Sequence, residues 1–314
     1  MNGRLLSGES DIAISLSLSL SLSLSLITHT YTHKMECLHR ECVEPNRSYT
    51  LLCSLNASRR VSPLSASFKR SPLPCMSSEA TFQTAEERQQ LFNSIAPAYD
   101  KLNDLLSLGQ HRVWKRMAVT WSRAKTGDNV LDICCGSGDL SFLLAERVGL
   151  SGKVTGLDFA KEQLAVASER QKAKTGGCYN NMRWLQGDAL ELPFANEEFD
   201  AITVGYGLRN VSDIPRALEE IYRVLKPGSS ASILDFNRPS NMFVSQLQGW
   251  MLDNVVVPAA TQFGLHEEYA YLKDSIARFP NGVEQEMLAR TVGFSRAVHY
   301  ELAGGLMGTL VLRK

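Results

Sequence analysis

The sequence has no long apolar run. None approaches the ~18 or more uninterrupted apolar residues that a membrane-spanning helix needs, so any membrane contact is expected to be peripheral. It also lacks a charge excess: 33 basic residues face 33 acidic ones. That balance argues against a nucleic-acid binder, which works through a basic face. Cysteine is sparse where the chain reads as folded. Of seven, four (Cys37, Cys42, Cys53 and Cys75) fall in the N-terminal tail. The odd total and the adjacent pair Cys134 and Cys135 suit small apolar filler in a reducing compartment, with neither a disulfide framework nor a metal site.

Acidic residues are missing from one stretch as well. After Glu36, Glu41 and Glu44 none occurs before Glu79, while Arg47, Arg59, Arg60, Lys69 and Arg70 lie among many serines. Such a composition resembles an organelle transit peptide, which takes no part in the fold. Residues 1–80 are therefore expected to be a disordered targeting region, cleaved near 75–80. Within it, 15–26 alternates Ser and Leu without a break. A TC dinucleotide repeat read in frame gives that pattern, so 1–34 is read as translated upstream sequence, with Met35 as the start.

The folded part is expected over 81–314. Apolar positions recur at helical spacing over 86–114, and Pro97 splits the run into two short helices. Strands are predicted at 129–134, 153–157, 182–186, 199–205 and 231–236. Helices are predicted at 139–148, 161–172 and 216–225, the last stopped by Lys226-Pro227-Gly228. This alternation implies a mainly parallel sheet with helices on both faces. Two apolar runs, 297–302 and 306–312, flank Ala303-Gly304-Gly305 and read as an antiparallel hairpin. A parallel sheet closed by a hairpin is the layout of class I S-adenosylmethionine-dependent methyltransferases, a Rossmann-like α/β sheet of seven strands. Helical caps are expected at 84–125 and 237–288. In the second, Phe243, Leu247, Trp250, Met251 and Val255 form a stripe read mostly as packing the cap onto the domain.

The chemistry is carried first by VLDICCGSGD at 130–139. Gly136 and Gly138 let the chain turn tightly between strand and helix and let a ligand lie on bare backbone. Asp132, on the strand, can orient the loop and attract the cationic end of a cofactor. Ser141 stands where a dinucleotide fingerprint wants its third glycine. Asp158, ending the second strand, can accept both ribose hydroxyls. Asp188, after the third strand, is placed to accept from an adenine amino group. Any one of these aspartates alone would more often be a cap or turn residue; in this order they point to S-adenosylmethionine.

Three stretches go further: LFNSIAPAYDKLNDLLSLGQHRVWKR at 91–116, GYGLRNV at 205–211 and YRVLKPG at 222–228. Together they resemble the ubiquinone/menaquinone biosynthesis C-methyltransferase family, over nearly all of 86–314. ILDFN at 233–237 and GWMLDNVVVP at 249–258 are similar to its plant and cyanobacterial branch. The resemblance implies methylation of demethylphylloquinol, the last carbon addition of phylloquinone (vitamin K1) synthesis, in the chloroplast. It also implies cofactor contacts at Ser137, Asp158, the pair Asp188 and Ala189, and Gly205. Many bacterial members carry Asn at the position of Asp188 and Ser at that of Gly205. The alternative acceptor is a mitochondrial benzoquinol of the ubiquinone pathway. A binding protein without catalysis is disfavoured by the intact set of cofactor residues.

A quinone is electron-poor and a quinol electron-rich, so the reduced acceptor is the expected nucleophile. Arg209 is the candidate to stabilise a phenolate or hold a relaying water, since a guanidinium is no base. His111 and Tyr99 are secondary candidates, each with a structural role as the competing reading. The prenyl tail needs an apolar channel, and part of the cap stripe is a candidate contact with a thylakoid or plastoglobule surface.

Overall fold

The computed structural model describes residues 107, 109–261 and 266–314. The expectations for 1–80, for Tyr99 and for most of the first cap lie outside those residues. All described residues belong to one compact unit, Gln83–Lys314.

Seven strands form one sheet: β1 Asn129–Ile133, β2 Lys153–Asp158, β3 Met182–Gln186, β4 Phe199–Gly205, β5 Leu225–Phe236, β6 Arg296–Leu302 and β7 Met307–Arg313. Their spatial order is β3-β2-β1-β4-β5-β7-β6. The first five run parallel, and β7 is antiparallel to both β5 and β6. This is the predicted class I layout. Because strand order reverses between β1 and β4, the ends of these strands open a crevice there, where open α/β sheets bind ligands.

Successive strand residues feed opposite cores, which is why these strands read as continuous apolar runs. Leu131, Ile202 and Ile233 pack beneath α4 Ile214–Val224 and α8 Gly282–Val292. Val130, Ala201 and Leu234 pack beneath α1 Gln110–Trp121 and α2 Asp139–Val148. Between β2 and β3, α3 Lys161–Lys172 covers those two strands. Local chemistry sets the ends. Asp213 caps α4 by accepting from Arg216 N at 2.9 Å, and Asn281 with Glu284 forms a capping box on α8.

Three expectations change. The stop at 226–228 lies inside β5, where the pairing with β4 slips between Phe199 and Ala201 and Gly228 takes φ 74°; a proline and a left-handed glycine are accommodated as a bulge. The second cap is shorter than 237–288. It comprises α5 Met242–Met251, a π-helical turn Leu252–Val256, α6 Val257–Thr261 and α7 His266–Arg278. By contrast α8 packs on β6 and α4, as a sheet-covering helix. Finally, the apolar stripe of α5 faces outward: Phe243 is 72 % and Trp250 54 % exposed. Inward packing falls to Leu252 and to Gln248, whose amide donates to Asn237 O at 3.0 Å. Among the described residues no helix is long and apolar enough to cross a membrane.

Candidate functional site

The loop after β1 carries three left-handed residues in five, Cys134 (φ 54°), Gly136 (φ 52°) and Gly138 (φ 93°). The two glycines are needed for different reasons. A Cβ on Gly138 would stand 2.6 Å from the Trp184 ring, so packing forbids it. A Cβ on Gly136 would meet nothing within 4 Å, because that backbone faces an open cleft. Gly136 N donates to Asp158 Oδ2 at 2.8 Å, and Ala160 N donates to Oδ1 at 2.8 Å. The carboxylate at the end of β2 thus braces the loop after β1. Burial raises the Asp158 carboxyl above its usual range, against the pull of these backbone donors.

Asp132 lies deeper. It is fully buried, accepting from Ser141 Oγ at 2.6 Å and Thr203 Oγ1 at 2.7 Å. Burial outweighs those hydroxyls and pushes its carboxyl up to about 7. A cation arriving above it would restore the ionised form. Burial, with the charges of Asp158 and Asp132 adding, raises the Cys134 and Cys135 thiols well above their ordinary value. They remain neutral packing groups. Asp188 Oδ1 accepts from Leu190 N at 2.9 Å, so this residue also shapes its own turn.

These groups line one cleft of about 290 Å³, together with Ser137, Ala189 and Gly205. That is near the lower end of the ~300–1,000 Å³ usual for small-molecule sites. Beyond Gly205 the wall continues through Tyr206, itself left-handed at φ 60°, to Arg209 and Asn210. Arg209 is held from behind: Nη1 donates to Asp235 Oδ1 at 2.6 Å and to Tyr206 O at 2.6 Å, and its backbone N donates to Asp235 Oδ2 at 3.1 Å. Its guanidinium also stands 5.0 Å from the Phe236 ring centre. Cap helix α7 packs on this turn, 208–210. His111 is buried in α1, with Nδ1 2.7 Å from Ser107 Oγ, and is not part of the described cleft wall.

A charged cluster that sequence reasoning missed holds the loop from its other side. Lys115 of α1 places Nζ 2.5 Å from Asp139 Oδ2, while Arg170 of α3 donates to Asp139 Oδ1 at 2.7 Å, Ser137 O at 3.0 Å and Ser137 Oγ at 2.7 Å. Burial would raise the Asp139 carboxyl, but the two cations prevail and hold it at about 2. Lys115 and Asp235 both fall inside stretches that signalled the family, yet nothing local marked their partners.

Residues 81–313 match the model of the ubiE/COQ5 methyltransferase family. The chain belongs to that family. It is therefore a methyltransferase that uses S-adenosylmethionine, and the cleft fits that cofactor: bare backbone at Gly136, carboxylates at Asp158 and Asp188, and a buried Asp132 that a cation would ionise. Among its relatives, the 2-phytyl-1,4-beta-naphthoquinone methyltransferase, chloroplastic, of Arabidopsis thaliana is 62 % identical over 227 residues, covering 72 % of this chain and 87 % of that one. The 2-phytyl-1,4-naphtoquinone methyltransferase of Synechocystis sp. is 56 % identical over 234 residues, covering 74 % and 98 %. A S-adenosylmethionine-dependent methyltransferase structure from Thermotoga maritima superposes with TM-score 0.51 at 18 % identity, covering 72 % of this chain and 99 % of that one. That likeness speaks to the fold.

Proposed function

We propose that this methyltransferase transfers a methyl group to a ring carbon of a prenylated demethylnaphthoquinol, the final methylation of phylloquinone synthesis, in the plastid. The observation that carries the reading is a single cleft with two chemistries. A carboxylate-lined half at Asp158 and Asp188 continues into a half walled by Tyr206 and edged by Arg209, both of them packed against the Phe236 ring. The names of the Arabidopsis and Synechocystis relatives support the naphthoquinone class, and the chloroplastic designation of the first supports the compartment.

S-adenosylmethionine supplies an electrophilic methyl on a positively charged sulfur. In this reading Asp158 accepts from the ribose hydroxyls, Asp188 with Ala189 receives the adenine, and Asp132 sets the potential under the charged end. The Gly136 backbone leaves room for close approach, and Gly205 lines the wall with Leu140 filling the place of its missing Cβ. On the acceptor side, Arg209 is fixed by Asp235 and presents positive charge to a quinol oxygen, favouring the phenolate whose electron density activates the neighbouring ring carbon. A carbon–carbon bond forms as the carbon–sulfur bond breaks, and the ring proton leaves to a water held near Arg209. His111 and Tyr99 are kept as secondary candidates; Tyr99 lies outside the described residues. Confining the reactants in line supplies much of the acceleration.

The outward apolar face of α5 supports a shallow membrane contact for drawing the lipid-tailed acceptor from a thylakoid or plastoglobule surface. Recovery of all the protein in the soluble fraction after a mild thylakoid wash, before carbonate, would sink that part. Residues 35–80 serve in the same reading as the plastid-targeting region, which N-terminal sequencing of the mature protein tests. The decisive test of the chemistry is an anaerobic assay with reduced and oxidised acceptor. Methylation confined to the reduced form is expected, and equal rates would refute the quinol mechanism.

A further inference from the structure

We propose that Lys115 binds the carboxylate at the methionine end of S-adenosylmethionine, an inference that rests on reading the cleft as that cofactor's site. Strand order lays the site out as a line: Asp188 follows β3, Asp158 ends β2, the glycine loop follows β1 and Gly205 ends β4. Neighbouring strands are about 4.8 Å apart, so β3 to β4 spans about 14 Å, the reach of a nucleoside carrying an extended amino-acid chain. The nucleoside end meets carboxylates. The amino-acid end carries a carboxylate of its own and needs a cation.

Two cationic side chains line the described cleft, Lys115 and Arg209. Arg209 is assigned to the acceptor, and its Nη1 already donates to both Asp235 Oδ1 and Tyr206 O. Lys115 stands at the β4 end, its ammonium 5.8 Å from the centre of the Tyr206 ring that directly follows Gly205. Its side chain is 10 % exposed, so the ammonium is largely withdrawn from water. An ammonium has three donors. Among the described residues its hydrogen bond goes to Asp139, leaving donors for a ligand. Asp139 in turn divides its single negative charge between Lys115 and Arg170, so Lys115 is not fully neutralised. The Asp139 contact also stiffens a long, flexible side chain, which lowers the ordering cost of ligand binding.

Calorimetric titration of the full chain tests this, using S-adenosylhomocysteine, decarboxylated S-adenosylmethionine and 5′-methylthioadenosine, the last lacking the amino-acid end. Lys115→Met should weaken S-adenosylhomocysteine binding about 10- to 100-fold, the range of one charge-assisted hydrogen bond. Binding of 5′-methylthioadenosine and of the decarboxylated compound should change less than about twofold, which also shows the variant to be folded. Lys115→Arg should recover part of the loss. Equal losses for all three ligands would overturn the proposal in favour of a structural role through Asp139, and an unchanged S-adenosylhomocysteine affinity would overturn it outright. Failure of the wild-type chain to bind any of the three would overturn the cofactor reading and this inference with it.

Discussion

Replacing Asp132 with Asn should stabilise the cofactor-free protein at alkaline pH and weaken its hold on the cofactor. The carboxyl is fully buried, and burial lifts it from 3.8 to about 7 despite donors at 2.6 and 2.7 Å. A rise of about 3 pH units corresponds to about 4 kcal/mol. Its sign follows from proton counting. Between pH 4 and 7 the unfolded chain releases a proton that the folded chain retains, so stability falls by about 1.4 kcal/mol per pH unit and stays low above 7. Asn keeps the shape and one acceptor without the charge, at a cost of about 1 kcal/mol for imperfect hydrogen bonding. The net gain above pH 8 is then about 3 kcal/mol, or a rise in Tm of about 6–12 °C for a domain of this size. Circular-dichroism melts of both proteins at pH 4.5 and 8.5 read this directly. The advantage should be present at pH 8.5 and vanish or reverse at pH 4.5. A variant equally destabilised at both pH values would refute the reasoning that the ionised carboxylate is costly. S-adenosylmethionine, whose positive end compensates that carboxylate, should bind the variant more weakly at pH 8.5.

The two loop glycines should separate cleanly. Gly138→Ala combines a left-handed backbone with a 2.6 Å clash against Trp184 and should cost about 3 kcal/mol of stability, read as a lower melting temperature. Gly136→Ala meets no protein atom; it should melt within about 1–2 kcal/mol of wild type while losing cofactor affinity by calorimetry. Asp158→Ala should raise the cofactor Kd about 10- to 100-fold through the ribose contacts, also measured by calorimetry. Arg209→Lys should lower kcat about 100-fold or more with the cofactor Kd nearly unchanged. The same change to Ala strands Asp235 without its cation and should also destabilise the protein by about 3–5 kcal/mol, visible in the melt.

Where apolar periodicity is strong and the ends are marked, the elements were legible. The bounds of α2, α3, β3 and β4 agree with expectation residue by residue. Periodicity identifies a face but not what covers it. Phe243, Leu247 and Trp250 thus read as an inward stripe yet point outward, and α8 read as cap yet lies on the sheet. Lys226-Pro227-Gly228 read as a stop because breaker residues signal a local kink, and only the pairing with β4 makes that kink a bulge within β5. At the site, order along the chain was enough to gather Asp132, Gly136, Ser137, Asp158, Asp188, Ala189 and Gly205 into one cleft, while Gly138 lies off the cleft wall, packed against Trp184. Ion pairs such as Lys115 with Asp139 and Arg209 with Asp235 join residues 24 and 26 apart, and no local pattern encodes partners brought together by the sheet.

The reaction itself is tested most directly by methyl transfer from labelled S-adenosylmethionine under reducing, anaerobic conditions, with 2-phytyl-1,4-naphthoquinol and a prenylated benzoquinol offered in parallel. Label should appear on a ring carbon of the naphthoquinol, at a rate well above that with the benzoquinol. Preferential labelling of the benzoquinol, or no transfer to either, would contradict the assignment.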